Sequence, residues 1–441
     1  MLPGGDFIDY PTLGIDKSAL YIGAPIFTNG SFSGGRAYVV QKSSILGAGP
    51  MVINSFPTFD SGTGRGIDVP QGVDNFDFQH CCGLADIGYF IGADNGSFGS
   101  LIIRRISNPA TTTPTISGNI FLTVPATNLP ILVNHEGNTG GPNGRLDSLD
   151  DRLMCAHIRD GQIWTVHNIG VDNTGVSGVN PSTRNGSRWY QINIIPASPT
   201  LTQAGTLFAS SASNDTLQPS YWMPSIMTSG QGHMAIGCST AGTNNFANAA
   251  TAGRLSTDAL GTIQAPTLYT ASSTAYNPSF DPGSSSGRRW GDYSYTSLDP
   301  NDDMTLWTIQ EYCNASNSWG VQVVKLIAPP PATPISISPS SVPRDMSSVR
   351  LTITGQSING SGFFDTEIAV NDVNPGPSFQ NRLNVLFPGS EGVYKKEICY
   401  ISPTQVQVVI STVYASASTP QILIMNPDGQ TVNATGLLTI T

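Results

Sequence analysis

Along most of this chain, apolar and polar residues alternate with a period of two. The runs are short and are broken by glycine, proline, asparagine and serine. That period sends successive side chains to opposite faces of a strand. Five stretches read as strand, polar turn, strand: 14–24, 83–93, 156–167, 225–237 and 297–310. Asp160-Gly161, inside the third, is a hairpin-turn signal. With Leu20, Tyr89, Ile163, Met234 and Leu306 as anchors, the steps are 69, 74, 71 and 72 residues. A third apolar strand follows each hairpin, at 36–40, 101–106, 188–194, 253–255 and 320–326. Five repeats of three or four strands predict an all-β chain whose residues 1–328 form a β-propeller, with five visible blades and an incomplete ring as an open alternative.

Residues 329–334 hold four prolines and predict an extended linker. Alternation resumes at 335–338, 349–354, 405–410, 421–426 and 437–441. Short strands at this density predict an immunoglobulin-like β-sandwich over 335–441.

Composition sharpens this picture. The 441 residues include 47 glycines and 32 prolines, and only 11% are charged. Lys and Glu are too scarce for a helical bundle. A net charge of −10 excludes a nucleic-acid partner, which needs clustered Lys and Arg. No run of 18 apolar residues occurs, so no membrane insertion through a helix is expected. The surface composition, rich in Ser, Thr and Asn, leads us to expect a secreted or cell-surface protein. The first six residues lack the basic and apolar regions of a signal peptide. Export is therefore expected to use a leader outside this chain or another route.

Six cysteines carry two readings: thiols in strands, or one or two disulfides in an oxidising compartment. Adjacent Cys81 and Cys82 are not expected to pair with each other. His157 and His167 flank one hairpin and form a candidate metal pair. Two acidic turns are candidate Ca²⁺ sites: Asp147, Asp150 and Asp151, and Asp299, Asp302 and Asp303. Solvated turn acids are the alternative there. Asn-x-Ser/Thr sequons start at Asn29, Asn95, Asn185, Asn214, Asn314, Asn359 and Asn433, at a frequency that this composition explains by chance.

In a propeller, the loop before each innermost strand faces one axial mouth. Counting back from the anchors puts Asp9 and Tyr10, His80, Asp151 and Arg152, Tyr221 and Trp222, and Asp292 and Tyr293 in those loops. Carboxylates among aromatic rings suit a sugar or another small polar ligand. The competing reading makes these residues blade-locking structure, above all Trp290 and Asp292.

Ser338-Pro339, Gly355, Gly362-Phe363, Ile401-Ser402-Pro403 and Asn426-Pro427-Asp428-Gly429 resemble the IPT/TIG immunoglobulin-like domains. That resemblance implies a spacer or interaction module. Asp9-Tyr10-Pro11-Thr12-Leu13-Gly14, Arg289-Trp290-Gly291-Asp292-Tyr293-Ser294 and Trp307-Thr308-Ile309-Gln310-Glu311-Tyr312 resemble an uncharacterised propeller region of bacterial secreted proteins. This second resemblance implies further sheet-forming sequence upstream, so that this chain begins inside the propeller and lacks one or two blades. It implies no assured activity.

Three functions follow as expectations. The first is a binding or adhesion module for glycans or a surface protein, using the axial face. The second is a glycoside hydrolase with paired carboxylates drawn from Asp9, Asp151 and Asp292. No Ser-x-Asp-x-Gly-x-Thr-Trp box of the sialidase type supports it. The third is a structural surface-assembly protein that self-associates through open sheet edges.

Overall fold

The computed structural model describes residues 6–77, 87–213, 216–366 and 379–441. The chain is an all-β propeller of five radial sheets, followed by further sheets at its C-terminal end. The innermost strands are Thr12–Ile15, Gln71–Gly72, Leu153–Arg159, Ser220–Thr228 and Tyr295–Leu298. Each pairs antiparallel with the second strand of its sheet. All five hydrophobic anchors lie on those second strands. The third strand of the fourth sheet runs Asn245–Arg254, well beyond the expected 253–255. Its alanines and asparagines hid it from a search for β-branched residues.

Four of the five seams between sheets are filled. Tyr21, Phe90 and Ile106 pack between the first and second sheets. A larger cluster around Tyr89, Leu101, Ile158 and Tyr190 joins the second to the third. Trp164, Trp189, Ile226 and Ile236 join the third to the fourth. The fourth and fifth are joined by apolar contacts, Met227 with Leu298 and Leu306 and Trp222 with Trp290, and by buried hydroxyls. Ser225 Oγ and Thr296 Oγ1 are 2.7 Å apart, Thr296 donates to Thr308 Oγ1 at 2.9 Å, and Gln310 Nε2 donates to Ser225 Oγ at 3.0 Å. Near the axis the first two sheets approach so closely that a Cβ at Gly14 would lie 2.4 Å from the Gly72 carbonyl carbon. Only glycine fits there.

The fifth seam is different. The Tyr10 hydroxyl of the first sheet donates to Asp292 O at 2.6 Å, and its ring stacks on Tyr293 at 4.6 Å. Outward from this contact, Leu13 and Ile15 on the first sheet are exposed, as are Trp307, Ile309, Val321 and Val323 on the fifth.

Residues 333–440 build a β-sandwich. A four-stranded sheet (Thr333–Ser338, Val349–Gln356, Gln405–Ser411, Tyr394–Ser402) faces a three-stranded one (Asn384–Leu386, Ile422–Met425, Thr431–Ala434). They share a core that includes Leu351, Val385, Val408 and Ile424. Phe379 reaches from this region to Met227, Leu298 and Leu306 and covers the floor of the propeller axis. Beside it lies a buried ion pair, Arg159 Nη2 to Asp303 Oδ2 at 2.5 Å. No helix among the described residues is long and apolar enough to cross a membrane.

Candidate functional site at the axial mouth

The loops entering the innermost strands converge on one mouth, and backbone strain marks them. Tyr10 (φ 40°), Leu149 (φ 55°), Met223 (φ 52°) and Asp292 (φ 113°) all occupy left-handed conformations that such residues seldom adopt. Tyr10 sits at the centre. Besides its contacts to Asp292 and Tyr293, its ring carries the Arg152 guanidinium 4.4 Å from the centroid. Burial raises the Tyr10 hydroxyl well above the ordinary tyrosine range, so it stays protonated and can donate. Tyr293 is 61% exposed and presents its ring to solvent.

Arg152 also grips Asp150 with two hydrogen bonds, Nε to Oδ1 and Nη2 to Oδ2, both 2.7 Å. Burial works against the Asp150 charge. The Arg152 hydrogen bonds and charge outweigh it and hold Asp150 below the usual carboxylate range. Its neighbour Asp151 has no such cation bonded to it. Burial and the Asp150 charge push Asp151 up to about 6. Asp68 is also raised, mainly by burial, with the Asp150 charge adding to the shift; Asn95 Nδ2 donates to its Oδ1 at 3.1 Å and opposes it.

Asp68, Asp150, Asp151 and Arg152 line one cavity of about 310 Å³, with Asn95, Phe98 and Leu129 on its other walls. This is at the small end of ligand-pocket sizes. Phe98 is half-exposed and offers an apolar face opposite the acids. A second acidic group lies towards the fifth sheet. Arg289 bridges Asp292 (2.6 Å) and Asp147 (3.5 Å). Burial, aided by Asp292, raises Glu311 to about 7, and Glu311 Oε2 accepts the Gly291 N–H at 2.6 Å.

Of the expected mouth residues, Tyr10, Asp151, Arg152, Asp292 and Tyr293 come together here. Asp9 precedes them, and its carboxylate caps the Tyr10 N–H at 2.9 Å. His80 lies outside the described residues, as do Cys81 and Cys82. The mouth position of the second sheet is Asp68, because its innermost strand is Gln71–Gly72. After that strand the chain detours through Asp74–Asn75, which pairs parallel with Leu153–Arg159 of the third sheet. Counting back from Tyr89 assumed no detour.

Trp222 requires correction. It is fully buried, tilted against Trp290 at 6.2 Å, and donates through Nε1 to Asp147 O at 3.1 Å. Its ring locks the mouth loop from behind and cannot meet a ligand. Tyr221 points instead into the seam between the third and fourth sheets, against the cluster around Trp164 and Ile236. Trp290 is buried too, as the structural reading expected.

The calcium turn near 300 is also corrected. Asp299 accepts from Trp307 Nε1, Asp302 from the Met304 and Thr305 amides and the Thr305 hydroxyl, and Asp303 from Arg159. Each acid serves its own partners. Among the described residues no group of three His, Cys, Asp or Glu side chains is arranged to hold a metal, and this includes Asp147, Asp150 and Asp151. His157 and His167 do not form a pair. His157 Nε2 accepts the Thr228 N–H, and burial drops it to about 3. His167 donates from Nδ1 to Asp151 O at 2.7 Å, accepts from Tyr190 at Nε2, and is lowered to about 4, chiefly by burial. The four described cysteines, Cys155, Cys238, Cys313 and Cys399, are free thiols.

No protein-family model matches this chain, and no curated protein matches it. Solved structures with a similar course exist at low identity. One is a protein of unknown function from Dyadobacter fermentans, 7% identical, covering 92% of this chain and 95% of that one, with a TM-score of 0.38. Another is the α-L-arabinanase of Penicillium chrysogenum complexed with arabinobiose, 10% identical, covering 94% of each chain, TM-score 0.39. A third is an exo-β-1,3-galactanase from Clostridium thermocellum, 12% identical, covering 98% and 85%, TM-score 0.30.

Proposed function

We propose that the axial mouth is a glycan-processing site outside the cell, with Asp151 as general acid and Asp68 as the carboxylate that works opposite it. The observation carrying this reading is the single small cavity that holds Asp68, Asp150 and Asp151 together. Glycoside hydrolysis needs one carboxylic acid that keeps its proton near neutral pH and one carboxylate that does not. Asp151, at about 6, suits the first role. In this scheme it passes its proton to the glycosidic oxygen as the C–O bond breaks. Asp68 takes a proton from the water that adds to the anomeric carbon. Asp150, held ionised by Arg152, sets the Asp151 proton affinity and stays out of the transfer. Phe98 supports the apolar face of the sugar ring.

A second reading, binding without turnover, draws on a separate observation: the exposed Tyr293 ring stacked on Tyr10 beside the mouth. Aromatic faces of this kind hold sugars by themselves.

One experiment separates the two. The protein is assayed against a panel of aryl glycosides and polysaccharides, and binding to the same glycans is measured with Asp151→Asn. Turnover by the natural protein, lost in Asp151→Asn with binding retained, supports the hydrolytic scheme. Binding without turnover in either protein supports the second reading. Neither binding nor turnover across the panel removes both.

A further inference from the structure

Among the described residues the fifth radial sheet has three strands, whereas the other four radial sheets have four or five. Its last strand, Ser318–Leu326, runs for nine residues with no strand among the described residues paired to its outer side. An edge of this length is a template for another chain unless proline, a bulge or inward charge blunts it. Ser318–Leu326 has no proline, and its one charge is Lys325. Instead it carries Trp319 (55% exposed), Val321 and Val323 on one face. The register with the preceding strand places them in line with Trp307 and Ile309, since Trp307 lies opposite Lys325 and Ile309 opposite Val323.

The strand is self-complementary. Antiparallel pairing with a second copy about a two-fold axis at Gln322 sets Val321 against the partner copy's Val323, and Trp319 against its Lys325. All of these side chains fall on the same exposed face, because directly opposed residues share a face. Lys325 already lies 5.9 Å from the Trp307 ring, so its ammonium would be flanked by two indoles. Each pair occurs twice by symmetry. We propose that the outer edge Ser318–Leu326 is a homodimer interface, formed by continuing the fifth sheet into the fifth sheet of a second copy of this chain. The mouth lies at the innermost strands, at the opposite side of the sheet, so the pairing leaves it open.

The test is light scattering after size exclusion, with dissociation constants from sedimentation. The natural protein is expected at twice the chain mass. Val321→Lys with Val323→Lys opposes like charges across the axis and should weaken association about tenfold or more. Val321→Glu with Val323→Lys puts opposite charges in the same register and should restore the dimer. Trp319→Ala should weaken it in a second, charge-free way. Circular dichroism establishes that each variant is folded, which their exposure favours. A monomer of the natural protein overturns the proposal. So does a dimer that the Lys/Lys and Trp319→Ala variants leave intact, or one that the charge-swapped pair fails to restore.

Discussion

The two ends of the propeller axis are built by the same innermost strands and treat their acids in opposite ways. At the floor, Asp303 is fully buried and bound to Arg159, and Phe379 packs on Met227, Leu298 and Leu306. At the mouth, Arg152 satisfies Asp150 and leaves Asp151 with a neighbouring negative charge and no cation bonded to it. An ion pair sealed in the interior organises structure. A carboxyl kept short of its counter-ion holds a proton that it can give away. On the proposed reading chemistry belongs at the mouth, although both ends hold comparable residues.

The most severe way to break this contrast is to remove the floor cation. Arg159→Ala leaves Asp303 buried without it, and should cost about 3–5 kcal/mol of stability. Urea unfolding measures this. A loss below about 1 kcal/mol would mean that the floor is as hydrated as the mouth. Next comes Asp151→Asn, which should lower turnover of a responsive glycan roughly 100-fold or more while leaving the unfolding midpoint at pH 7 no lower than that of the natural protein. A large fall in stability instead would make Asp151 a structural residue.

The third test uses pH. The folded state raises the Asp151 pKa, so the Asp151 contribution to stability is complete below the unfolded value of about 3.9. It is lost as pH rises through about 6. The Tm of Asp151→Asn should therefore gain on the natural protein between pH 4 and pH 8, and a constant difference would count against the assignment. Activity should fall over the same rise as Asp151 loses its proton. Smallest is Tyr10→Phe, which removes one hydrogen bond and should cost about 1 kcal/mol. Hydrogen exchange of the Asp292 loop should quicken in this variant while that of the Arg159 region stays unchanged.

The repeat was legible because each sheet buries one face of a hairpin against its neighbour, and this writes a period of two around Leu20, Tyr89, Ile163, Met234 and Leu306. Mouth residues were legible only where the connection from innermost to second strand keeps its length. In the second sheet that connection detours to the third, so Asp68 had no marker. Trp222 reads as a ligand platform in sequence because burial leaves no local trace. Strand alternation and one hydrogen bond to Asp147 O turn it inward. The acids near 300 cluster like a cation loop, yet turn amides, an indole and Arg159 claim each of them. Glu311 stands within the Trp307–Tyr312 motif, but its place at the mouth depends on the Gly291 amide, twenty residues away along the chain.

The Tyr10 contact has a mechanical side. Four seams of the propeller are packed along the sheets, and the fifth is held at its inner end by two phenols: Tyr10 on Asp292 O and Tyr293, and Tyr295, which donates to Asp74 Oδ2 while Asp74 Oδ1 accepts the Ile15 N–H. Such a molecule is a split collar with a clasp. Pulled apart or heated, it should yield at a defined place, where Tyr10 parts from Asp292 and Tyr293 and Tyr295 parts from Asp74. Because Arg152 rests on the Tyr10 ring, that parting also disturbs the residue that keeps Asp150 ionised. Opening of the collar and loss of the proton-holding arrangement at the mouth are then one event, so a force or temperature ramp should register both at a single threshold.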